Sequence, residues 1–249
     1  MGPISFCSSK GLEILANKVN RMATRPVFLA TLDNRYCVRV NTEFEFFPGF
    51  SDSQKQRSIR SLHDSFHKKH ANSRILEISS KSEEEIGVRL SAFNLMIKNK
   101  AGKLISVESI FQSSKVFEKG GPYKDLLDVP ARTAKKDERL KNSGRIIAFQ
   151  IDGKVFPTEP KTFFYNWIYV NTLHHNGDLA DQIINYDAFT DIAFNPQKSI
   201  NCQAEAAAIY VSLRKQGKLL DALKDKDSFR NIVYPTQDDS LGYDQIVLF

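Results

Sequence analysis

Val38, Val40, Thr42, Phe44 and Phe46 occupy every second position of one stretch, the two-residue period of a strand with one face in a core. The pattern predicts strands over residues 26–31 and 36–46, joined near Asp33-Asn34 as a hairpin. Beyond them the period lengthens. Ser51 and Gln54 have capping-box spacing ahead of a helix carrying Ile59, Leu62 and Phe66; residues 74–79 read as another strand, and Ser82 and Glu85 repeat the capping spacing. Residues 91–97 form a short apolar segment that ends in the turn Lys98-Asn99-Lys100-Ala101-Gly102-Lys103. Asp152-Gly153, set between residues 145–151 and Val155-Phe156, is a two-residue hairpin signal. An aromatic helix over residues 163–173 and a long helix over about 201–217 follow, and the chain after Ile232 reads as irregular surface until its apolar end.

One segment departs from ordinary amphipathic patterning. In Val107-Glu108-Ser109-Ile110-Phe111-Gln112-Ser113-Ser114-Lys115-Val116-Phe117 the only charged residues, Glu108 and Lys115, fall with Gln112 at i, i+4 and i+7, one stripe of a helix predicted to run from near Ser106 to before Gly120-Gly121-Pro122. Apolar residues and serines complete the circumference, so no face is built for bulk water. A buried carboxylate and ammonium are costly unless they pair or work, which leaves two readings: a structural ion pair or a reaction site. Two further segments offer company. Residues 161–169 hold the only tryptophan, Trp167, in a run of aromatic rings that suits either core packing or stacking on a base. Asp191 lies in a polar and aromatic loop leading to Ser199 and Asn201 at a helix start, where those two residues would cap the helix or bind a ligand.

Composition narrows the field. The chain has 249 residues, 41% hydrophobic and 11% aromatic, which is enough for a substantial core. The mixed order of elements, with no repeat or linker, predicts one α+β domain, mainly helical with small antiparallel β-sheet elements. Its expected limits are residues 25–232, preceded by an extension over 1–24, of which the first 21 residues are expected to be poorly ordered, and followed by a tail over 233–249. No apolar run approaches the ~20 residues that span a bilayer, and no secretory signal is read at the N-terminus, so a cytoplasmic protein without membrane contact is expected. Cys7, Cys37 and Cys202 are widely separated and read as reduced thiols. A net charge of +6 permits contact with nucleic acid, and Lys135, Lys136, Arg139, Lys141 and Arg145 form a basic run that would either follow a DNA backbone or coat a solvated surface. Dinucleotide, P-loop and nucleophile-elbow motifs are absent. His63, His67 and His70 share a helix face, but Lys68 and Lys69 sit among them and no carboxylate completes a metal triad, so they read as a solvated face. No metal and no cofactor are expected.

Taken together these segments resemble the NADAR, or YbiA-like, superfamily. Ser91-Ala92-Phe93-Asn94 and the stretch from Val107 to Lys115 resemble its Ser-Asn-Phe and Glu-His-x-Phe-Gln-Ala-x-Lys blocks, Trp167 its aromatic-helix tryptophan, Asp191 its late aspartate and Asn201 the asparagine opening its last long helix. From Arg25 to about Phe229 the chain is similar to the NADAR antitoxins paired with guanosine-modifying DarT toxins. That likeness includes Phe46-Phe47-Pro48-Gly49-Phe50-Ser51, Gly120-Gly121-Pro122-Tyr123 and Lys198-Ser199-Ile200-Asn201-Cys202-Gln203-Ala204. The chain departs from the wider pattern at Phe194-Asn195, where many relatives have Trp-Gly, and at Ile200, where they have glycine; both changes fall on the wall of the ribose pocket.

The resemblance implies a glycohydrolase that removes ADP-ribose from the guanine amino group in DNA and acts as antitoxin to a DarT-type toxin. Modified DNA would be the substrate and ADP-ribose the product. Rival readings are an N-glycosidase of a small N-riboside metabolite and an antitoxin that only binds its toxin. Cleaving an N-glycosidic bond builds positive charge at the anomeric carbon and needs a proton for a poor amine leaving group, a task suited to a carboxyl. Glu108 is the expected acid/base and Asp191 an orienting carboxylate or second acid/base group. Lys115 would either pair with Glu108 and the substrate's phosphates or, with its pKa lowered by burial, attack the sugar carbon and form a Schiff base. Phe93, Asn94, Gln112, Tyr123, Trp167 and Asn201 are the expected substrate contacts, and Lys135, Lys136, Arg139 and Arg145 the nucleic-acid contacts.

Overall fold

The computed structural model describes residues 21–235. Strands β1 (Met22–Leu29) and β2 (Val38–Glu45) form the expected hairpin, with Val27 opposite Val40. Helix α1 (Asp52–His67) starts at Ser51, whose hydroxyl accepts the Gln54 N–H at 3.3 Å. It lays Ile59, Leu62 and Phe66 on one face of the sheet against Val27, Phe44, Ala188 and Ile192. Leu62 is fully buried there, worth roughly 2 kcal/mol of transfer free energy.

Strand β3 (Ile75–Glu77) completes a four-stranded sheet of order β2-β1-β9-β3, in which β9 (Ala188–Thr190) runs antiparallel to β1 and parallel to β3. The α+β class holds, while this parallel pair departs from the antiparallel elements expected. It joins segments far apart in sequence, beyond the reach of a local period. Helix α2 (Glu85–Arg89) starts after Glu84 rather than Ser82, whose hydroxyl instead accepts the Glu84 N–H at 3.2 Å in a turn. The turn over residues 98–103 closes a small hairpin between β4 (Met96–Lys98) and β5 (Leu104–Ser106).

Helix α3 (Val107–Ser113) is shorter than its pattern suggested. Lys115 does not extend it but opens strand β6 (Lys115–Phe117), opposite Phe149. Serines 113 and 114 weaken the helix end, since their hydroxyls compete for backbone groups: Ser113 Oγ donates to the Ile110 carbonyl at 3.0 Å. The Ser114 carbonyl is then taken by Gln150 N–H at 2.7 Å, so sheet pairing wins the next residues. A 3-10 turn (Lys124–Leu127) and short helices α4 (Ala131–Ala134) and α5 (Arg139–Asn142) lead to β7 (Ile146–Ile151) and β8 (Lys154–Phe156). The last two join through Asp152 (φ 46°) and Gly153 (φ 76°), the positive-φ pair a tight hairpin requires.

Helices α6 (Phe163–His174), α7 (Gly177–Ile183) and α8 (Gln203–Lys215) build the larger core on the sheet's other face. Two unpredicted helices, α9 (Leu219–Leu223) and α10 (Lys226–Val233), follow and bury Leu219, Ala222, Phe229 and Val233. The expected N-terminal disorder and the apolar chain end lie outside the described residues, as does Cys7; Cys37 and Cys202 are free thiols. No described helix is long and apolar enough to cross a membrane.

The histidine face is corrected. His63 Nε2 meets Thr190 Oγ1 at 2.8 Å, His67 Nε2 meets the Ser73 carbonyl at 3.0 Å, and His70 stacks on Phe66 at 4.4 Å between centroids. The rings face the protein because the sheet and the following loop fold back on that side of α1. No group of three or more His, Cys, Asp or Glu among the described residues could hold a metal.

Candidate active site

Every residue of α3 is buried, and the helix is positioned by its start. Ser106 Oγ accepts the Ser109 N–H at 3.1 Å, while Val107 N and Glu108 N donate to the carbonyls of Leu95 and Ala92 at 3.0 and 2.9 Å. These bonds dock the first turn of the helix, which carries Glu108, against residues 92–95. Gln112, one turn on, donates from Nε2 to Glu108 Oε1 at 2.8 Å and accepts Lys115 Nζ on its Oε1 at 2.6 Å. The two ends of the carboxamide thus match a carboxylate on one side and an ammonium on the other.

A second lysine completes this group. Lys135, from the residue following α4, brings Nζ to 3.3 Å from Glu108 Oε1 and 5.1 Å from the centroid of Phe93. Lys115 lies 4.7 Å over the Phe111 ring. Burial pulls the Lys115 pKa down to about 8; the Glu108 charge opposes this fall and Lys135 adds to it. A substantial fraction of Lys115 is therefore an uncharged amine slightly above neutral pH. Gly121 lies against this lysine: its φ is +80°, and a Cβ there would come within 2.3 Å of the Lys115 carbonyl oxygen.

Asp191 leaves the end of β9. Its Oδ1 accepts the N–H groups of Ala193 and Phe194 at 3.0 and 3.2 Å, and its Oδ2 accepts Gln203 Nε2 at 3.0 Å. Desolvation first, and the buried Glu77 carboxyl second, raise its pKa to about 7. The residue as a whole is only half-buried, but its carboxyl is enclosed by these donors. Gln203 also accepts Ala92 N–H on Oε1 at 2.7 Å, so the Asp191 loop, the start of α8 and the 92–95 segment are tied together. Asn201 Oδ1, two residues before Gln203, is buried without a hydrogen-bond partner among the described residues, a free acceptor next to this loop.

The other expected residues are spread more widely. Asn94 is exposed and donates to the Val88 carbonyl at 2.9 Å, closing the end of α2. The Tyr123 hydroxyl lies 2.5 Å from Ser143 Oγ, and Arg139 covers its ring at 4.5 Å. Trp167 packs on Phe156 and Phe229, 6.3 and 5.4 Å between centroids. Two positions earlier on α6, about 200° round the helix, Tyr165 meets Phe111 edge-on at 5.2 Å. Burial, with the charge of Glu108 behind it and that of Asp191 contributing least, pushes the Tyr165 phenol well up. The run of aromatic residues gave no local signal to separate it from Trp167.

The basic run is largely neutralised. Arg139 pairs with Asp125 and Asp137, Lys141 with Glu138, Arg145 with Glu118 and Lys135 with Glu108. Lys136 has no acidic partner among the described residues, nor has the exposed Arg132 on α4. These two cations flank Lys135 in sequence.

The arrangement gathers two carboxylates, an amine of lowered basicity, an amide relay and an unpartnered amide oxygen. No curated protein matches the chain. A family model described as the DarT1-associated NADAR antitoxin matches residues 23–241, the span that contains all of these groups, and the chain accordingly belongs to the DarT1-associated NADAR antitoxin family.

Proposed function

We propose that this antitoxin is an N-glycoside hydrolase that releases ADP-ribose from the amino group of guanine in DNA, reversing the modification made by its DarT1 partner. The observation that carries the reading is the chain Glu108–Gln112–Lys115, which holds a carboxylate and a partly deprotonated lysine in fixed relation. Lys115 attacks the anomeric carbon as an amine, and the bond to the guanine amino group breaks with its electron pair leaving on nitrogen. Glu108 exchanges the proton that the leaving amine needs, with Asp191 as the second acid/base group. The sugar ring opens to a Schiff base on Lys115; water hydrolyses it, giving free ADP-ribose and regenerating the amine.

Phe93 supplies a ring beside Lys135, Gln112 and Asn201 polar contacts for ribose or diphosphate, and Arg132 and Lys136 unneutralised charge for the DNA backbone, while Tyr123, bonded to Ser143 and covered by Arg139, would contact the base only from outside this group. Incubation with single-stranded DNA carrying ADP-ribosyl-guanosine should release ADP-ribose, and borohydride added during turnover should trap the sugar on Lys115. A Glu108→Gln protein that releases ADP-ribose at the unaltered rate would sink the acid/base assignment. Neutralisation of the toxin by a protein lacking both Glu108 and Lys115 would favour a purely binding antitoxin.

A further inference from the structure

Glu77, the last residue of β3, is 2% exposed, and no lysine or arginine among the described residues pairs with it. Its Oε2 accepts the Thr190 hydroxyl at 2.6 Å and its Oε1 accepts the Ile192 N–H at 2.9 Å. One carboxylate thus grips the residues immediately before and after Asp191. The approach is close on its other side too, because a Cβ on Gly87 of α2 would stand 2.1 Å from the Glu77 carbonyl oxygen. Thr190 has one hydroxyl hydrogen, and it is donated to Glu77. The contact of 2.8 Å between Thr190 Oγ1 and His63 Nε2 must therefore be made by the imidazole N–H. Burial pulls the His63 pKa down to about 4, so that ring is a neutral donor and brings no positive charge to the group.

We propose that Glu77 is a positioning residue for the reaction: through Thr190 and Ile192 it clamps the strand end that presents Asp191 and brings its own carboxyl into interaction with the Asp191 carboxyl. Burial raises the pKa of Glu77 as well, so the two carboxyls compete for protons, with Glu77 expected to be the first to ionise. This extends the reading of Asp191 as the second acid/base group and rests on it. The remaining groups facing Asp191 do not supply a compensating charge. They are Gln203 and Cys202 at the start of α8 and Tyr165 and Tyr169 on α6. Desolvation and the neighbouring anion act in the same direction on Asp191, and three donated hydrogen bonds act against them.

Glu77→Gln is suited to the test because its shape is kept. The amide oxygen still accepts the Ile192 N–H, and the amide N–H donates to Thr190 Oγ1, whose hydroxyl turns to His63. The carboxyl carbon of Asp191, identified by its loss in Asp191→Asn, is followed by carbon-13 NMR as pH is varied. The expected result is that the Asp191 midpoint falls by roughly one pH unit or more in Glu77→Gln, and stays raised in Glu77→Asp, which keeps the charge. An unchanged midpoint in a folded Glu77→Gln protein would overturn the proposal. Should that variant fail to fold, the unaltered protein decides: Glu77 must already be ionised over the pH range in which Asp191 loses its proton, and a Glu77 carboxyl that titrates at or above the Asp191 midpoint overturns the coupling. Neither titration needs a substrate, so a protein that shows the shift yet releases no ADP-ribose would refute the proposed function and leave this inference standing.

Discussion

Asp191 and Glu108 are fastened to the same residue: Gln203, which donates to Asp191 Oδ2, receives the Ala92 N–H at 2.7 Å, and the Ala92 carbonyl receives the Glu108 N–H at 2.9 Å. The Gln203 carboxamide and the Ala92 backbone thus link the loop that carries Asp191 to the start of the helix that carries Glu108. Removing Gln203 should loosen the site more than the fold. Gln203→Ala is expected to cost about 1–3 kcal/mol in chemical denaturation, because the Ala92 N–H and Ile78 carbonyl lose their partner. Release of ADP-ribose should fall by roughly one to two orders of magnitude, as when a positioning contact is lost.

The pH profile of kcat/KM should be bell-shaped, with limbs near 7 and 8, the pKa values of Asp191 and Lys115. The bell arises whether the working form carries its proton on Asp191 and leaves Lys115 neutral or the reverse, since both forms hold one dissociable proton between them. Asp191→Asn should remove one limb. A flat profile between pH 6 and 9 (on the order of three units) would contradict both assignments.

Lys135→Met separates charge from contact. Lys135 disfavours a second positive charge at Lys115, so its loss should raise the Lys115 pKa and move the basic limb to higher pH. Loss of the pair leaves the buried Glu108 carboxylate with Gln112 as its remaining side-chain donor and should cost about 1–3 kcal/mol. A basic limb that moves downward would show that Lys135 acts through something other than its charge.

Gly121→Ala should harm activity through Lys115. At φ +80° the new Cβ is strained and collides with the Lys115 carbonyl oxygen, so β6 or the residues after it must shift. The expected cost is about 1–3 kcal/mol in a thermal melt, together with loss of the borohydride-trapped adduct. Gly153→Ala, whose Cβ meets nothing within 4 Å, is the matched control for positive-φ strain alone.

Much of the local architecture could be read from short spacings. Ser51 and Gln54 start a helix, Asp152-Gly153 turns a hairpin, and Glu108 with Gln112 at i, i+4 lie side by side, because each pattern depends on neighbours within one turn. The same periodicity misplaced Lys115. A helix was extended through two serines into residues that the sheet claims, although the lysine still reaches Gln112 from the strand. Glu77 and His63 gave no signal, since their meaning rests on Thr190, more than a hundred residues away in each case for the pairs Glu77–Thr190 and His63–Thr190. Tyr165 and Trp167 were indistinguishable in a run of rings until the helix was seen to turn them to different neighbours. Part of the neutralisation of the basic run is invisible locally: Asp137 and Glu138 sit within it, but Glu108, Glu118 and Asp125 lie outside it in sequence.

The parallel pairing of β3 with β9 also sets an order in time. Glu77 and Thr190 pair across more than a hundred residues, a closure of high contact order that is expected to be slow beside local helix and hairpin formation. A nascent or partly refolded chain can possess α1, the first hairpin and even α3 while Asp191 still has no fixed place. In refolding experiments the helical signal should return before the capacity to release ADP-ribose, so the sheet's last strand serves as the final assembly step of the antitoxin.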